Sequence, residues 1–196
     1  MRMIDTPNHW VALRAHAARR AAAARLVATM LAAFAFAGCT TTPVADPKAD
    51  AARYESVVAS ALRTDQDRRM DASRHPVELL VFAQVQPGWR ALDVAAGGGY
   101  TAQLIALAVG PSGTLWAQSA RPSPALAKRL EDHPQANFRP SMRPFDDPVP
   151  PEATDLDLVT LVLNYHDITY LPVDRARMNQ RIYAALKPGG RFIVID

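Results

Sequence analysis

The chain has 196 residues, 49% of them hydrophobic and 21% charged, which suits a globular domain with extensions and excludes a disordered polyelectrolyte. One cysteine excludes a disulfide within the monomer, and no cysteine pair or His-x-x-x-His spacing is present to build a common zinc site. The net charge of +3 is carried by the first 39 residues, which hold five arginines and one aspartate; the remainder is close to neutral, so no nucleic-acid-binding face is expected.

Arg14, Arg19, Arg20 and Arg25 precede the apolar run Leu26 to Ala37. A basic region followed by about a dozen apolar residues is too short for a span of roughly 20 and reads as an export signal. The run ends in Phe36-Ala-Gly-Cys39. This resembles the lipobox of bacterial lipoproteins, with Phe36 where leucine is usual. The resemblance implies cleavage before Cys39, diacylation of Cys39, and a protein lipid-anchored on the periplasmic side of the bacterial envelope; an ordinary signal peptide with a soluble periplasmic product is the alternative. The Arg19-Arg20 pair is a faint twin-arginine signal. The expected organisation is a signal peptide over 1–39, a polar, proline-containing linker over 40–49, a helical lead-in over 50–89 and an α/β core over 90–196.

Asp50 to Met70 lacks glycine and proline and predicts one helix. Its charges, Asp65, Asp67, Arg68, Arg69 and the following Asp71, suit a solvated face. Pro76 to Gln84 predicts a short helix with proline in its first turn. Pro87-Gly88 turns the chain into a strand beginning near Arg90.

The stretch from Arg90 to Val109 organises the rest. Ala91-Leu-Asp-Val94 has the length of a buried parallel strand, Gly97 to Gly99 form a turn, and Tyr100 to Val109 repeats apolar residues at helical spacing. Strand, glycine turn and helix open a βαβ unit. Glycines there admit positive φ and bring main-chain N–H groups to a ligand at the helix N-terminus. Asp93 faces the same crevice and favours a cationic ligand over a pyrophosphate. The motif Asp93-Val-Ala95-Ala-Gly97-Gly-Gly99 resembles the first motif of class I S-adenosylmethionine-dependent methyltransferases, with Ala95 in place of its first glycine. Gly97-x-Gly99-x-x-Ala102 also fits the dinucleotide fingerprint. The methyltransferase resemblance implies S-adenosylmethionine held by Asp93, Ala95, Gly97, Gly99 and Tyr100. It also implies that the segment before the first strand covers the cofactor, with Arg74, His75 and Glu78 as candidates to line that cover.

Thr114 to Ala117 is the next strand, and Gln118 at its end occupies the position, about 20 residues past the glycines, of a ribose ligand. A glutamine there accepts one hydrogen bond and donates one. Pro124 to Leu130 predicts a helix and Ala136 to Arg139 a strand. The loop 140–156 contains Asp146 and Asp147; by resemblance Asp146 meets the adenine amino group, with Asp147 as rival. Leu156 to Leu163 is a strong buried strand that runs into Asn164-Tyr165-His166-Asp167. Ligands in open α/β sheets bind at carboxyl ends of strands where strand order switches. A main-chain carbonyl near Asn164 is thus expected to hold the cofactor's amino group, Tyr165 to wall the pocket, and His166 to act as general base, with Asp167 either orienting it or capping the next helix. Val173 to Leu186 predicts a helix, Leu186-Lys-Pro-Gly-Gly190 its stop, and Arg191 to Asp196 a fifth strand. Leu-Lys-Pro-Gly-Gly before an apolar strand also resembles the methyltransferase family, extending the resemblance over residues 75–196.

The expected fold is therefore α/β: a doubly wound, mainly parallel sheet of the Rossmann-like methyltransferase type, five strands present, with N-terminal helices. The family's sheet continues beyond a fifth strand, so the core is expected to be incomplete. The expected activity is methyl transfer from S-adenosylmethionine to a small-molecule acceptor. A dinucleotide-binding oxidoreductase and a non-catalytic envelope lipoprotein keeping the fold are the alternatives.

Overall fold

The computed structural model describes residues 47–196. The export signal, the lipobox and Cys39 lie outside the described residues. The elements in order are α1 (Pro47–Val58), α2 (Asp65–Arg74), α3 (Pro76–Ala83), β1 (Arg90–Val94), α4 (Tyr100–Val109), β2 (Thr114–Ser119), α5 (Pro124–Asp132), β3 (Phe138–Met142), β4 (Leu156–Val162), α6 (Tyr165–Thr169), α7 (Arg175–Ala185) and β5 (Leu186–Ile195).

All five strands are parallel, in the order β3-β2-β1-β4-β5. The chain winds outward from β1 through β2 to β3, then returns to β4 on the other side of β1. The strand order therefore switches between β1 and β4, where a doubly wound sheet opens a crevice at its carboxyl edge. Side chains alternate between the two faces. Ala91, Leu115 and Leu158 face a core with Tyr54 of α1, Leu80 of α3 and Leu104 and Ile105 of α4. Leu92, Trp116 and Val159 face a second core with Ile168 of α6 and Met178 and Ile182 of α7. Burial on both sides explains why β1, β2 and β4 read as nearly continuous apolar runs.

Several boundaries depart from expectation. The single helix expected from Asp50 to Met70 is two helices, separated at residues 59–64. Thr64 caps α2 by accepting the Asp67 N–H at 3.1 Å, while Asp67 accepts the Thr64 N–H at 2.9 Å. This reciprocal capping box starts a new helix, and buried Arg63 fixes the break by donating to the Val58 carbonyl at 2.8 Å. Helix α1 begins at Pro47, inside the expected linker; proline is well placed in a first helical turn. The third strand runs later than expected and includes Pro140, tolerated because β3 is an edge strand. Residues 186–190 join β5 rather than ending a helix, across an irregularity in the register opposite Leu156 and Leu158. The five-residue helix α6 was not expected.

The entry into β2 is tightly packed. The Thr114 N–H donates to the Trp89 carbonyl at 2.9 Å. A Cβ at Gly113 would lie 2.6 Å from that carbonyl oxygen and 2.6 Å from the Val109 Cβ. Backbone on one side and a β-branched side chain on the other leave nothing free to yield. Gly113→Ala is expected to lower unfolding stability by about 2 kcal/mol. Urea denaturation would show this as a lower midpoint with an unchanged slope.

Candidate functional site

Beyond β1 the chain turns through two left-handed residues, Ala95 (φ 57°) and Gly97 (φ 56°), and reaches Gly99 (φ 86°) at the start of α4. Gln118, fully buried at the end of β2, clips this turn. Its side-chain oxygen accepts the Ala95 N–H at 2.9 Å, its own carbonyl accepts the Ala96 N–H at 2.9 Å, and its amide donates to the Arg143 carbonyl at 2.6 Å. Ser123 donates to the Gly97 carbonyl at 2.8 Å, and Arg129 Nε donates to the Gly98 carbonyl at 2.8 Å. The carbonyls of this turn are thus tied to the α5 side. Among the described residues, the N–H groups of Gly97 and Gly98 have no protein acceptor. Both glycines line a cavity of about 480 Å³, well within the range of small-molecule sites.

Asp93, 2% exposed, stands in the cavity wall below the turn. It faces its register partner Thr160 across β1 and β4 and accepts that hydroxyl at 2.7 Å. Burial pushes its carboxyl up to about 7, against hydrogen bonds from Thr160 and the Ala102 N–H that favour the charged form. Asn164, at the end of β4, closes the crevice from the other strand; its amide donates to the Val162 carbonyl at 3.1 Å and reaches the Ala95 carbonyl at 3.5 Å.

Helix α2 covers the cavity, and it is fastened by charge. Asp67 and Arg129 form a two-point ion pair, both bonds 2.7 Å, with side chains 1% and 8% exposed. Burial alone would raise the Asp67 carboxyl; the bonds from Arg129 and the Thr64 N–H outweigh it and hold the group below the usual carboxylate range. Arg63 makes a second two-point pair with Asp71, which holds Asp71 low as well. Asp71 also accepts the Tyr100 hydroxyl at 2.7 Å. Burial first, then this carboxylate, raises the Tyr100 pKa, so the phenol stays neutral.

No protein-family model matches the chain. Among curated proteins it is 30% identical over 114 residues to the ubiquinone/menaquinone biosynthesis C-methyltransferase UbiE of Burkholderia multivorans, covering 58% of this chain and 45% of that protein. The enzyme of the same name from Burkholderia cenocepacia is 29% identical over the same length and shares. The chain therefore spans less than half the length of the curated relatives it matches. Among solved structures it superposes on a SAM-dependent methyltransferase from Aquifex aeolicus with a TM-score of 0.53 at 14% identity, over 78% of this chain and 73% of that one. It superposes on TrmN from Thermus thermophilus with a TM-score of 0.51 at 20% identity, over 74% and 41%. The fold is the Rossmann-like methyltransferase fold.

Of the residues singled out in the sequence, Asp93, Ala95, Gly97, Tyr100, Asn164 and Arg74 line the cavity together. Gly99 stands just behind it; a Cβ there would lie 2.8 Å from Leu126 Cδ1, so its lack of a side chain lets α5 approach. The others are placed differently. Gln118 turns its carboxamide into the loop, not toward the cavity. Asp146 faces Arg177 of α7 at 3.4 Å, and Asp147 is engaged by Arg143 and Arg181. Helix α6 carries Tyr165 onto the second core and His166 to the surface. His166 there pairs with Asp196, whose carboxylate also accepts the His166 main-chain N–H at 2.7 Å; this pairing raises the imidazole pKa. The expected base and pocket wall are therefore not in the methyltransferase-type cavity, and neither are His75 and Glu78. Sequence reasoning missed Asp67, Arg129 and Thr160. The Thr64-x-x-Asp67 pattern was a readable capping signal; the burial of Arg129 left none.

Two predictions follow from Asp93 and Ala95. The folded chain holds the Asp93 proton up to about pH 7, whereas an unfolded aspartate releases it near 3.8. Protonation therefore favours the folded state: the contribution is complete below about pH 4 and is lost as pH rises toward 7. Asp93→Asn should flatten that limb of the stability profile, measured as unfolding midpoints from pH 4 to 8. Ala95 holds a left-handed backbone that glycine adopts without strain. Ala95→Gly is expected to stabilise the fold by about 1 kcal/mol, read by chemical denaturation.

Proposed function

We propose that the chain binds S-adenosylmethionine in the cavity between the glycine turn and α2, and that it directs methyl transfer to a small-molecule acceptor. The observation that carries this reading is the wall of that cavity: two main-chain N–H groups without protein acceptors, at Gly97 and Gly98, beside a buried carboxyl at a strand-order switch. The curated relatives' name supports the same chemistry. S-adenosylmethionine supplies, when bound, a methyl group on a cationic sulfur. The chain's own groups fit its amino-acid end. The Gly97 and Gly98 N–H groups suit a carboxylate, and the Ala95 carbonyl and the Asn164 side-chain oxygen suit an ammonium. Helix α2 excludes water from above through Met70 and the Asp67–Arg129 pair, and Tyr100 walls the side. The ribose end departs from the usual arrangement, because the carboxamide of Gln118 is engaged by the loop. The cofactor is therefore held chiefly by main-chain groups and by enclosure.

An exported, lipid-anchored location through Cys39 belongs to this proposal and is supported by the basic and apolar residues that precede it. The dinucleotide alternative is disfavoured by Asp93, since a buried carboxyl in the wall offers a pyrophosphate no positive charge and repels it once ionised. Titration calorimetry of the chain with S-adenosylhomocysteine and with NAD tests the assignment. Saturable heat with S-adenosylhomocysteine and none with NAD is expected. The reverse result would make the site a dinucleotide site, and silence with both would leave a scaffold without a cofactor.

A further inference from the structure

The charged side chains that line the cavity under α2 are Asp67, Arg74, Asp93, Lys128, Arg129 and Asp132. Most of them answer one another. Asp67 holds Arg129 in their two-point pair, and Lys128 meets Asp132 at 2.9 Å. Two groups remain. Asp93 accepts uncharged donors, the Thr160 hydroxyl and the Ala102 N–H, and among the described residues it has no cation within ion-pair distance. Among the described residues the Arg74 guanidinium has neither a hydrogen-bond acceptor nor a carboxylate within ion-pair distance; it stands 5.7 Å from the centre of the Tyr100 ring. A cavity that leaves over one acidic and one basic side chain suits a ligand that carries both signs.

The position of Arg74 is set by its surroundings. Two guanidiniums flank the Tyr100 ring, Arg63 at 5.4 Å and Arg74 at 5.7 Å from its centre. Arg63 is neutralised by its two bonds to Asp71, so Arg74 is the one that keeps its charge for a ligand. Arg74 is the last residue of α2, and His75 ends that helix in a left-handed conformation (φ 45°), its N–H on the Asp71 carbonyl at 3.0 Å. Such a backbone is uncommon outside glycine and persists where neighbouring bonds hold it. A cation in the last turn also suits the helix dipole. That accounts for a basic residue at position 74, but not for its place in the cavity wall. With Tyr100, Thr101 and Val162, Arg74 forms the partition between this cavity and a second one beside it. A group held by Arg74 therefore lies at the limit of the cavity and is the end of a ligand rather than its middle.

S-adenosylmethionine ends in an α-amino acid, a carboxylate beside an ammonium. The N–H groups of Gly97 and Gly98 offer that carboxylate hydrogen bonds but no net charge. Building on the proposed cofactor site, we infer that Arg74 binds the cofactor's carboxylate and makes the cavity selective for adenosyl compounds that keep it. The acidic remainder, Asp93, matches the ammonium in sign. Because Arg74 belongs to α2, the same contact ties the roof of the cavity to the bound cofactor. A decarboxylated adenosyl compound keeps the ammonium and the sulfur but leaves the guanidinium unanswered.

The test is calorimetric titration of the full chain with S-adenosylhomocysteine, with its decarboxylated analogue S-adenosyl-3-thiopropylamine, and with methylthioadenosine, which lacks both carboxylate and ammonium. The native chain should bind S-adenosylhomocysteine at least about tenfold tighter than the decarboxylated analogue, the size expected of one charge-assisted contact. Arg74→Gln should weaken S-adenosylhomocysteine by about tenfold and leave the other two ligands unchanged. Arg74→Lys keeps the charge but not the planar fork and should weaken it less. An Arg74 that only supports α2 would instead weaken all three ligands together. Equal affinity for S-adenosylhomocysteine and the decarboxylated analogue in the native chain, a loss shared by all three ligands in Arg74→Gln, or no loss at all in that variant overturns the inference, while binding of S-adenosylhomocysteine keeps the cofactor reading intact. If S-adenosylhomocysteine does not bind the native chain, the cofactor reading falls and the inference falls with it.

Discussion

The buried Asp67–Arg129 pair is the interaction on which the site depends. It joins parts of the chain 62 residues apart and sits directly on the glycine turn, since the same guanidinium binds the Gly98 carbonyl. Helix α2 has one buried residue, and that residue is Asp67. Most helices are held to a domain by an apolar stripe; this one is held by the Asp67–Arg129 pair and the Asp71–Tyr100 hydrogen bond, with Met70 packed on the first core. A charge left alone in that position would be costly, because removing one partner of a buried pair typically destabilises by about 3–5 kcal/mol. The roof of the cavity and the shape of its floor are therefore set by the same two side chains.

The turn beneath is over-determined. Gln118 binds it at two successive N–H groups, Ser123 and Arg129 bind two successive carbonyls, and Gly99 admits α5 at close range. This explains how an alanine persists at position 95 in a conformation that disfavours it: the surrounding bonds outweigh the strain. It also explains what Gln118 does in place of gripping a ribose. An amide has both an acceptor and a donor, and the loop uses both, the acceptor on Ala95 and the donor on the Arg143 carbonyl. A carboxylate has no donor and would face that carbonyl with like charge. The residue suited to building this loop is thus not the residue suited to holding two hydroxyls, and the chain has the former.

The sheet was legible because its signals are local. Apolar runs gave β1, β2 and β4, and the glycine turn with its helical repeat gave α4 with its observed limits. Asp93, Gly97, Tyr100 and Asn164 converge because strand ends at a switch point always do. The polar parts were not legible, for a physical reason in each case. Asp67 and Asp71 look like a solvated face, but Arg129, far along the chain, buries Asp67, and Arg63 from the preceding loop engages Asp71. The break before α2 depends on Arg63 being inside, which no periodicity shows. His166 follows β4 closely and its spacing places it at the crevice; the start of α6 turns it outward to Asp196. Asp146 and Asp147 find arginines on α7 and in their own loop, and loop geometry is not encoded in spacing.

Tyr100 brings these strands of argument together. Its ring is the partition between the two cavities, and its hydroxyl is bound to Asp71. The guanidiniums of Arg63 and Arg74 stand 5.4 and 5.7 Å from the centre of the ring, within reach of its electron-rich face. Turning the ring away would take a hydrogen bond from Asp71 and an aromatic face from Arg63, so the phenol cannot move without disturbing the Arg63–Asp71 pair. The wall between the cavities and the roof over the larger site are accordingly one rigid ionic assembly. The separation of the two cavities is set by charge pairing, while the hydrophobic core supplies the platform on which that pairing stands.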